Sequence, residues 1–329
     1  MVEKWVYNTV LCQTFSPCGN YMCAGNTYGD VAVYDLQKIL SPSEDVSPPF
    51  RKPEYHFLVN KDVQICSMAT TSKFLLTGTV GEINGWDWKS VTSTSGKAPK
   101  PLWSLQLPSC KDILEKADVN SLDFKEEPGY IYAGCGDNKV HIFAIEDGRL
   151  VRTLEGHEDY IHSVQSCADN QIVSASEDGT VRIWDLRQTR AVAVIQPHLS
   201  NKVARPDLGK WIGAAAVCDD WLLCGGGPRL GVWHLRSMEV TTTFKLEDYG
   251  IHVAMFYDDG VMAGGASPYF YQMNLSGDIL AQIPSSSTTV YSAVYQEEPL
   301  KVMCIAGSSS KIDLCTNFSY RDQILSFAP

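Results

Sequence analysis

Residues 172–186 read Ile-Val-Ser-Ala-Ser-Glu-Asp-Gly-Thr-Val-Arg-Ile-Trp-Asp-Leu. The second half of this stretch alternates polar and apolar side chains, a pattern of period two that predicts a half-buried strand. Asp178-Gly179 separates it from the apolar run before it, and Asp-Gly at such a place is a strong hairpin signal because glycine tolerates the positive φ of the turn. The stretch therefore predicts a β-hairpin whose second strand carries Trp184.

Six weaker copies of this hairpin recur along the chain. In each copy one residue takes the position of Trp184, and the seven anchors are Tyr34, Trp86, Phe143, Trp184, Trp233, Met273 and Cys315. Successive anchors are 52, 57, 41, 49, 40 and 42 residues apart. A period of about 40–45 residues with four strands per unit is typical of WD-repeat propellers, and insertions account for the longer gaps. The sequence therefore predicts an all-β fold, a seven-bladed WD-repeat β-propeller.

Seven units fill the 329 residues with little left over, so we expect a single domain with a large core. Two segments are candidates for the outer strand of the last blade: residues 323–327 or, by an exchange between the chain ends, residues 5–7. The predicted blades span approximately residues 6–59, 60–107, 118–154, 157–195, 211–245, 250–283 and 289–327.

The unit around Trp184 resembles a complete WD repeat, because Gly156-His157 precedes its first predicted strand. In the WD-repeat family a buried network links the histidine of the Gly-His pair, a hydroxyl on the second strand, the aspartate of the turn and the tryptophan. The resemblance implies that the network here consists of His157, Ser174, Asp178 and Trp184. Such a network rigidifies its blade because buried polar groups satisfy one another.

Charge and cysteine content restrict the function. The chain carries 27 Lys and Arg against 38 Asp and Glu, a net charge of -11, which disfavours direct, non-specific binding to nucleic acid or to anionic membranes. Eleven cysteines are spread without a C-x-x-C pair, as expected in a reducing compartment. The first five residues, Met-Val-Glu-Lys-Trp, show no apolar signal stretch, and the apolar run 212–218 is too short to span a bilayer.

Catalytic motifs are missing from the sequence. It contains no P-loop, HExxH or G-x-S-x-G. The segment 134–139, Gly-Cys-Gly-Asp-Asn-Lys, superficially resembles a glycine-rich nucleotide loop but lacks the third glycine, so we interpret it as a turn. His157 and His162 are five residues apart, but a loop that leads into a strand gives no reason for both to converge and no second ligand pair follows, so we do not interpret them as metal ligands. We therefore expect a binding platform and not an enzyme, with no catalytic residue, no cofactor and no metal.

Three longer stretches go beyond the generic repeat: Gly-His-Glu-Asp-Tyr-Ile-His at 156–162, Arg-Pro-Asp-Leu-Gly-Lys-Trp-Ile-Gly at 205–213, and Gly-Gly-Gly-Pro-Arg-Leu-Gly-Val-Trp-His-Leu-Arg-Ser at 225–237. In this order and spacing the chain resembles the THO complex subunit 6 family, nearly from end to end. The resemblance implies a non-catalytic scaffold of the THO/TREX assembly, which couples transcription and mRNA processing to nuclear mRNA export. It also implies contacts with the coiled-coil fifth and seventh subunits and a part in multimerisation of the complex. We expect association with mRNA mainly through partners, no membrane contact, and a location in the nucleoplasm and nuclear speckles, with a cytoplasmic fraction as well.

A cationic loop offers a candidate partner-binding surface. Residues 196–210 join one outermost strand to the next innermost strand, so they should share a rim with the second-to-third strand hairpins. Long loops on rigid scaffolds usually carry function. The alternative is that Arg205 and Trp211 only pin this loop to the fifth blade. The candidate residues on this rim are Lys202, Arg205, Lys210, Trp211 and Arg229.

A second candidate surface lies on the opposite face. Trp-Asp-Leu-Arg and Trp-His-Leu-Arg end the third predicted strands of neighbouring blades and place Arg187 and Arg236 there. A W-D-x-R ending resembles the motif of substrate receptors of cullin-RING ubiquitin ligases, which is the alternative function. The same ending also arises by chance in ordinary WD blades.

Overall fold

The computed structural model describes residues 7–41, 51–93, 98–108, 116–167, 170–246 and 249–328. Within these ranges the chain forms seven four-stranded antiparallel sheets, numbered here in chain order, and each sheet consists of four consecutive strands. The chain divides into two compact units, Met1–Lys116 with Ile283–Pro329 and Ala117–Gln282.

The first unit contains the first, second and seventh sheets. Its two short helices, α1 (Leu36–Leu40) and α2 (Trp88–Val91), each follow a third strand. The strands are β1 (Val10–Phe15), β2 (Tyr21–Asn26), β3 (Asp30–Asp35), β4 (Tyr55–Leu58), β5 (Ser67–Thr70), β6 (Phe74–Gly78), β7 (Glu82–Asp87), β8 (Trp103–Gln106), β25 (Val290–Gln296), β26 (Val302–Gly307), β27 (Lys311–Cys315) and β28 (Gln323–Ser326).

The second unit contains the third to sixth sheets, except for the end of the last strand, which extends past Gln282. Two 3-10 helices, Pro197–Leu199 and Pro206–Leu208, lie in the 196–210 loop. The strands are β9 (Val119–Lys125), β10 (Tyr130–Cys135), β11 (Val140–Ala144), β12 (Leu150–Leu154), β13 (Ile161–Ser166), β14 (Gln171–Ser176), β15 (Val181–Asp185), β16 (Ala191–Ile195), β17 (Ile212–Cys218), β18 (Trp221–Gly226), β19 (Gly231–His234), β20 (Glu239–Thr243), β21 (Ile251–Tyr257), β22 (Gly260–Gly265), β23 (Tyr269–Asn274) and β24 (Ile279–Pro284).

The seven anchors of the repeat all lie on the third strand of their sheets and are all buried. Five of them, Tyr34, Trp86, Trp184, Trp233 and Met273, belong to apolar clusters that join adjacent sheets. One such cluster contains side chains of the fourth and fifth sheets, and another contains those of the first and seventh. The middle strands are buried on both faces, which explains why their sequences read as apolar runs. The core therefore consists of a series of layers between sheets.

The first and seventh sheets pack against each other by side chains and hydrogen bonds. Gln13 Nε2 donates to the carbonyl oxygen of Ser292 at 3.2 Å, and the hydroxyl of Tyr34 donates to that of Ser326 at 2.9 Å. The outer strand of the seventh sheet is β28, which pairs with β27, so residues 323–327 are the segment that supplies it. Of the other candidate, residues 5–7, only Tyr7 is described; it is exposed and lies outside the strands.

The prediction of an all-β fold with seven four-stranded blades is confirmed. The single-domain organisation and the blade boundaries given above stay predictions. The ten cysteines in the described ranges are all free thiols. Among the helices of those ranges, none has the length and apolar character needed to cross a bilayer.

Candidate partner-binding surface

The fourth sheet brings together the four side chains of the predicted network. Trp184 Nε1 donates to Ser174 Oγ at 2.8 Å, and Ser174 Oγ lies 2.7 Å from His157 Nε2. His157 Nδ1 lies 2.8 Å from Asp178 Oδ2. The carboxylate can only accept, so Nδ1 carries the proton, and the serine hydroxyl donates to Nε2. The result is a relay in which each donor meets an acceptor.

Burial makes this relay strong. All four residues are buried, and Thr180 joins them by donating to Asp178 Oδ1 at 2.7 Å. Burial by itself raises the pKa of Asp178. Hydrogen bonds from His157, from Thr180 and from the backbone N–H of Glu158 outweigh burial and hold the pKa well below its usual range. Asp178 is therefore charged in the folded protein near neutral pH and orients the imidazole.

Two glycines make this arrangement sterically possible. Gly156 has φ +155, and a Cβ there would lie 2.7 Å from Arg182 Nη1 and 3.3 Å from the Trp184 ring. Gly179 has φ +85, the left-handed conformation that the turn after Asp178 requires. The Gly-His and Asp-Gly pairs of the sequence therefore have direct structural causes.

Other sheets carry partial versions of the relay. In the second sheet Trp86 Nε1 donates to Thr77 Oγ1 at 3.0 Å. In the fifth sheet Cys224 stands where the hydroxyl would be, so the indole of Trp233 faces a thiol, which is a weaker acceptor than a serine hydroxyl. The complete network is thus a property of the fourth sheet.

The 196–210 loop lies beside two hairpin turns, as its position between strands suggests. His198 Nδ1 lies 3.1 Å from the carbonyl oxygen of Gly179, and Arg229 N donates to that of Val203 at 2.8 Å. Arg205 is only 9% exposed. Its guanidinium donates to four backbone carbonyls, those of Gly226, Gly227, Pro228 and Tyr249.

The structure therefore places Arg205 inside the loop and not on a partner-facing surface. The physical reason is that a guanidinium presents five donors in a fixed fork, which matches several converging carbonyls. This geometry favours the pinning alternative for that one residue.

Trp211 also packs inward in part. Its ring stacks on His252 at 5.0 Å between centroids, and its Nε1 donates to the carbonyl oxygen of Leu208 at 3.0 Å. Burial lowers the pKa of His252 to about 4, with a smaller contribution from His162. The imidazole beneath the indole is therefore neutral at pH 7.

The remaining basic residues of the rim are more accessible. Lys202 and Lys210 are exposed, although Lys202 Nζ also donates to the carbonyl oxygen of Val240 at 3.2 Å. Arg229 is half-buried, and its Nη1 lies 3.5 Å from the carbonyl oxygen of Leu246. Lys202 and Lys210 are the two candidate residues of this loop that present charge to solvent.

Arg187 and Arg236 project into solvent at the other end of the strands, with side chains 72% and 75% exposed. Each is paired with a nearby carboxylate. Arg187 Nη2 lies 2.6 Å from Asp185 Oδ2, and Arg236 Nη2 lies 2.7 Å from Asp220 Oδ2. Hydrogen bonds from Arg187 lower the pKa of Asp185 to about 2. A partner that contacts these two arginines therefore competes with local ion pairs, which are weak at this exposure.

Three interactions of this region were not predicted from the sequence. Thr180 completes the environment of Asp178, and its position two residues after that aspartate is a local signal that could have found it. His162 pairs with Glu177 at 2.9 Å across the inner hairpin. The stacking of Trp211 on His252 joins two sheets, and no local pattern signals it.

Comparison with known proteins shows which proteins resemble this chain in sequence and fold. The family described as WD domain, G-beta repeat matches residues 148–185. The WD40 β-propeller domain of Doa1 superposes with a TM-score of 0.69, covering 92% of this chain and 91% of that chain at 16% identity. The chain is 40% identical to THO complex subunit 6 of Drosophila melanogaster, over 97% of this chain and 89% of that protein. It is 39% identical to the THO complex subunit 6 homolog of Danio rerio, covering 98% of both chains, and 36% identical to THO complex subunit 6 of Homo sapiens, covering 98% and 94%.

Seven four-stranded sheets with one complete Gly-His, Ser, Asp, Trp relay define a WD-repeat β-propeller. Within that class, identity of this level over nearly the whole chain shows that the chain belongs to the THO complex subunit 6 family.

We expect the substitution Ser174→Ala to lower the free energy of unfolding by about 1–3 kcal/mol. It leaves two buried nitrogens, Trp184 Nε1 and His157 Nε2, without their shared partner. Urea unfolding followed by tryptophan fluorescence measures this loss. Ser276→Ala, at an exposed turn, is the matched control and should change stability little. Equal effects of the two substitutions would show that the relay contributes nothing.

The lowered pKa of Asp178 predicts a pH dependence of stability. A carboxyl with a depressed folded pKa stabilises the fold fully above its unfolded pKa of about 4, and that contribution is lost as pH falls towards the folded pKa. The stability gap between the wild type and Asp178→Asn should therefore be largest near pH 6 and narrow between pH 5 and pH 3. Asp207→Asn, at an exposed carboxylate, controls for general charge effects. A gap that stays constant down to pH 3 would contradict a charged Asp178.

Proposed function

We propose that this chain is a non-catalytic scaffold subunit of the THO/TREX assembly, coupling transcription and mRNA processing to nuclear mRNA export through protein–protein contacts. The supporting observation is the alignment with proteins named THO complex subunit 6 over 97–98% of the chain. An alignment of that extent involves every sheet and both compact units, not only the generic repeat.

The chemistry of the fourth sheet supports a scaffold role. His157, Ser174 and Asp178 are the residue types of a nucleophilic triad, yet they lie buried and hydrogen-bond one another and Trp184. In that arrangement they stiffen a blade and cannot reach a substrate. A stiff blade holds its loops in fixed positions, which lowers the entropy that a partner loses on binding.

We propose the coiled-coil fifth and seventh THO subunits as direct partners, with self-association of the chain inside a multimeric complex. The inferred location is the nucleus, in the nucleoplasm and nuclear speckles, with a further cytoplasmic fraction. RNA reaches the subunit mainly through partners, because a net charge of -11 opposes direct phosphate binding.

Within this role, the exposed rim of the 196–210 loop is the proposed partner contact. Lys202 and Lys210 supply positive charge on an otherwise acidic chain, and Arg205 fixes the loop beneath them through four carbonyls. A rigidly held pair of cations suits an acidic segment of a partner, where charge complementarity gives specificity and speeds association.

The alternative function is that of a substrate receptor of a cullin-RING ubiquitin ligase, with Arg187 and Arg236 as the adaptor contacts. The ion pairs of these arginines with Asp185 and Asp220 compete with an adaptor contact, but exposed pairs contribute little, so the family alignment and not these pairs favours the scaffold role. Adaptor binding that is lost in Arg187→Ala would favour the receptor role instead.

Affinity purification of the tagged chain from nuclear extract, followed by mass spectrometry, tests the proposed function. We expect THO subunits to be recovered together with the chain, in amounts that survive nuclease treatment because protein contacts hold them. Recovery of cullin adaptors without THO subunits would overturn the scaffold proposal.

The double substitution Lys202→Glu and Lys210→Glu tests the binding rim. Arg205 is left intact because its removal would release the loop. We expect at least a tenfold loss of THO subunits recovered per tagged chain, with the unfolding midpoint unchanged. The control is Lys73→Glu with Lys89→Glu, two exposed lysines on the second sheet and the helix after it. Unchanged recovery by the rim variant would remove this loop from the partner contacts.

A further inference from the structure

The hairpin tip of the third sheet gathers three metal-ligating side chains of different kinds. Cys135 lies at the end of β10, Asp137 in the turn and His141 on β11. Their donor atoms all lie within 4.8 Å of one another. From this convergence of thiol, carboxylate and imidazole, we propose that the β10–β11 tip binds one zinc ion.

The backbone holds this tip in a defined shape. Cys135 N donates to the carbonyl oxygen of Lys139 at 3.1 Å, and Gly136 N donates to that of Asp118 at 2.9 Å. Asp137 Oδ1 accepts from Lys139 N at 3.3 Å, which leaves Oδ2 directed towards His141. A preformed set of donors lowers the cost of assembling a metal site, because the ligands need not be ordered by the ion.

A metal-ligating histidine usually has a hydrogen-bond partner on its second ring nitrogen, and Thr153 is that partner for His141. Its Nε2 lies 2.9 Å from Asp137 Oδ2, and its Nδ1 lies 3.1 Å from Thr153 Oγ1. A hydroxyl can donate or accept, so Thr153 can hold the ring in either neutral tautomer. When zinc binds Nε2, the ring proton sits on Nδ1 and is donated to Thr153, which fixes the ring orientation.

The charges of the site balance for a divalent ion. Zinc binding releases the thiol proton of Cys135 to solvent and forms a zinc–sulfur bond. The resulting thiolate and the Asp137 carboxylate together neutralise the two positive charges, so no net charge is left in a buried place. Cys135 and His141 are buried, and Asp137, with a side chain 15% exposed, provides the route of entry.

The donor set favours zinc over magnesium and calcium. Sulfur, nitrogen and one oxygen donor suit zinc, whereas magnesium and calcium require oxygen ligands. Three protein ligands leave the fourth tetrahedral position open for water or for a ligand from a partner.

Comparison with the fourth sheet shows how this set differs from the structural turn found there. With the two hairpins aligned on the turn aspartates, Asp137 corresponds to Asp178 and Cys135 to Ser176. Ser176 Oγ bonds the backbone of Asp159 in the fourth sheet, where a thiolate ligand is not available. Replacement of that hydroxyl by a thiol, together with a histidine on the third strand, converts a structural turn into a set of zinc ligands.

Titration of the chelator-stripped chain with Co²⁺, a spectroscopic substitute for zinc, tests the proposal. We expect one equivalent to bind with a thiolate-to-cobalt charge-transfer band in the near ultraviolet, and zinc to displace it. Zinc should also raise the unfolding temperature of the wild type, because it binds the folded state. Cys135→Ala should abolish the band, and Thr153→Val should keep it but weaken affinity by about 10–100-fold.

Cys224→Ala is the matched control, because this thiol is also buried at the second strand of a sheet. It should leave the band unchanged. His141→Gln provides a second loss-of-binding variant if Cys135→Ala fails to fold. The absence of a saturable band in the wild type, or a band equally strong in Cys135→Ala and His141→Gln, would overturn the site. In that case His141 and Asp137 form only a hydrogen-bonded pair.

Discussion

A four-stranded sheet whose middle strands are apolar on both faces cannot remain exposed to water, and this constraint determines the arrangement within each unit. Five of the buried third-strand anchors lie in layers between neighbouring sheets, such as that formed by Trp233 and Ile183 between the fourth and fifth. The hydrophobic effect supplies this attraction without directional preference. The relative orientation of the side chains then has to come from hydrogen bonds between the polar groups that the layers enclose.

In the fourth sheet the hydrogen-bonded relay fixes the orientation of these side chains. Burial would raise the pKa of Asp178, but its hydrogen bonds lower it, so the interactions made by the charged form exceed the cost of burying it. The same chain of hydrogen bonds positions His157, and through Glu158 N it fixes the start of the loop before β13. A polar network that satisfies every member thus converts a hydrophobic layer into a defined geometry.

The hairpins and their anchors could be predicted from the sequence because both depend on local patterns, alternation of period two and Asp-Gly or related turns. The relay residues could be predicted because WD repeats space them regularly. Arg205 could not, because a basic residue in a polar loop has the same local signature whether it faces solvent or four carbonyls. The stacking of Trp211 on His252 depends on how two sheets meet, and only the folded chain brings these rings together.

The turn aspartates of the third and fourth sheets obtain their hydrogen-bond donors from different elements. A largely buried carboxylate at a hairpin tip needs donors, and an imidazole supplies one in both sheets. In the fourth sheet it comes from the preceding loop, as His157, and in the third from the third strand, as His141. The loop histidine brings Ser174 and Trp184 into one hydrogen-bonded relay, which leaves no ring nitrogen to bind an ion. The strand histidine has a hydroxyl on its other nitrogen and a thiol nearby, which is the arrangement of a metal ligand. The element that supplies the imidazole, together with the thiol of Cys135, therefore distinguishes the proposed cation site of the third sheet from the structural relay of the fourth.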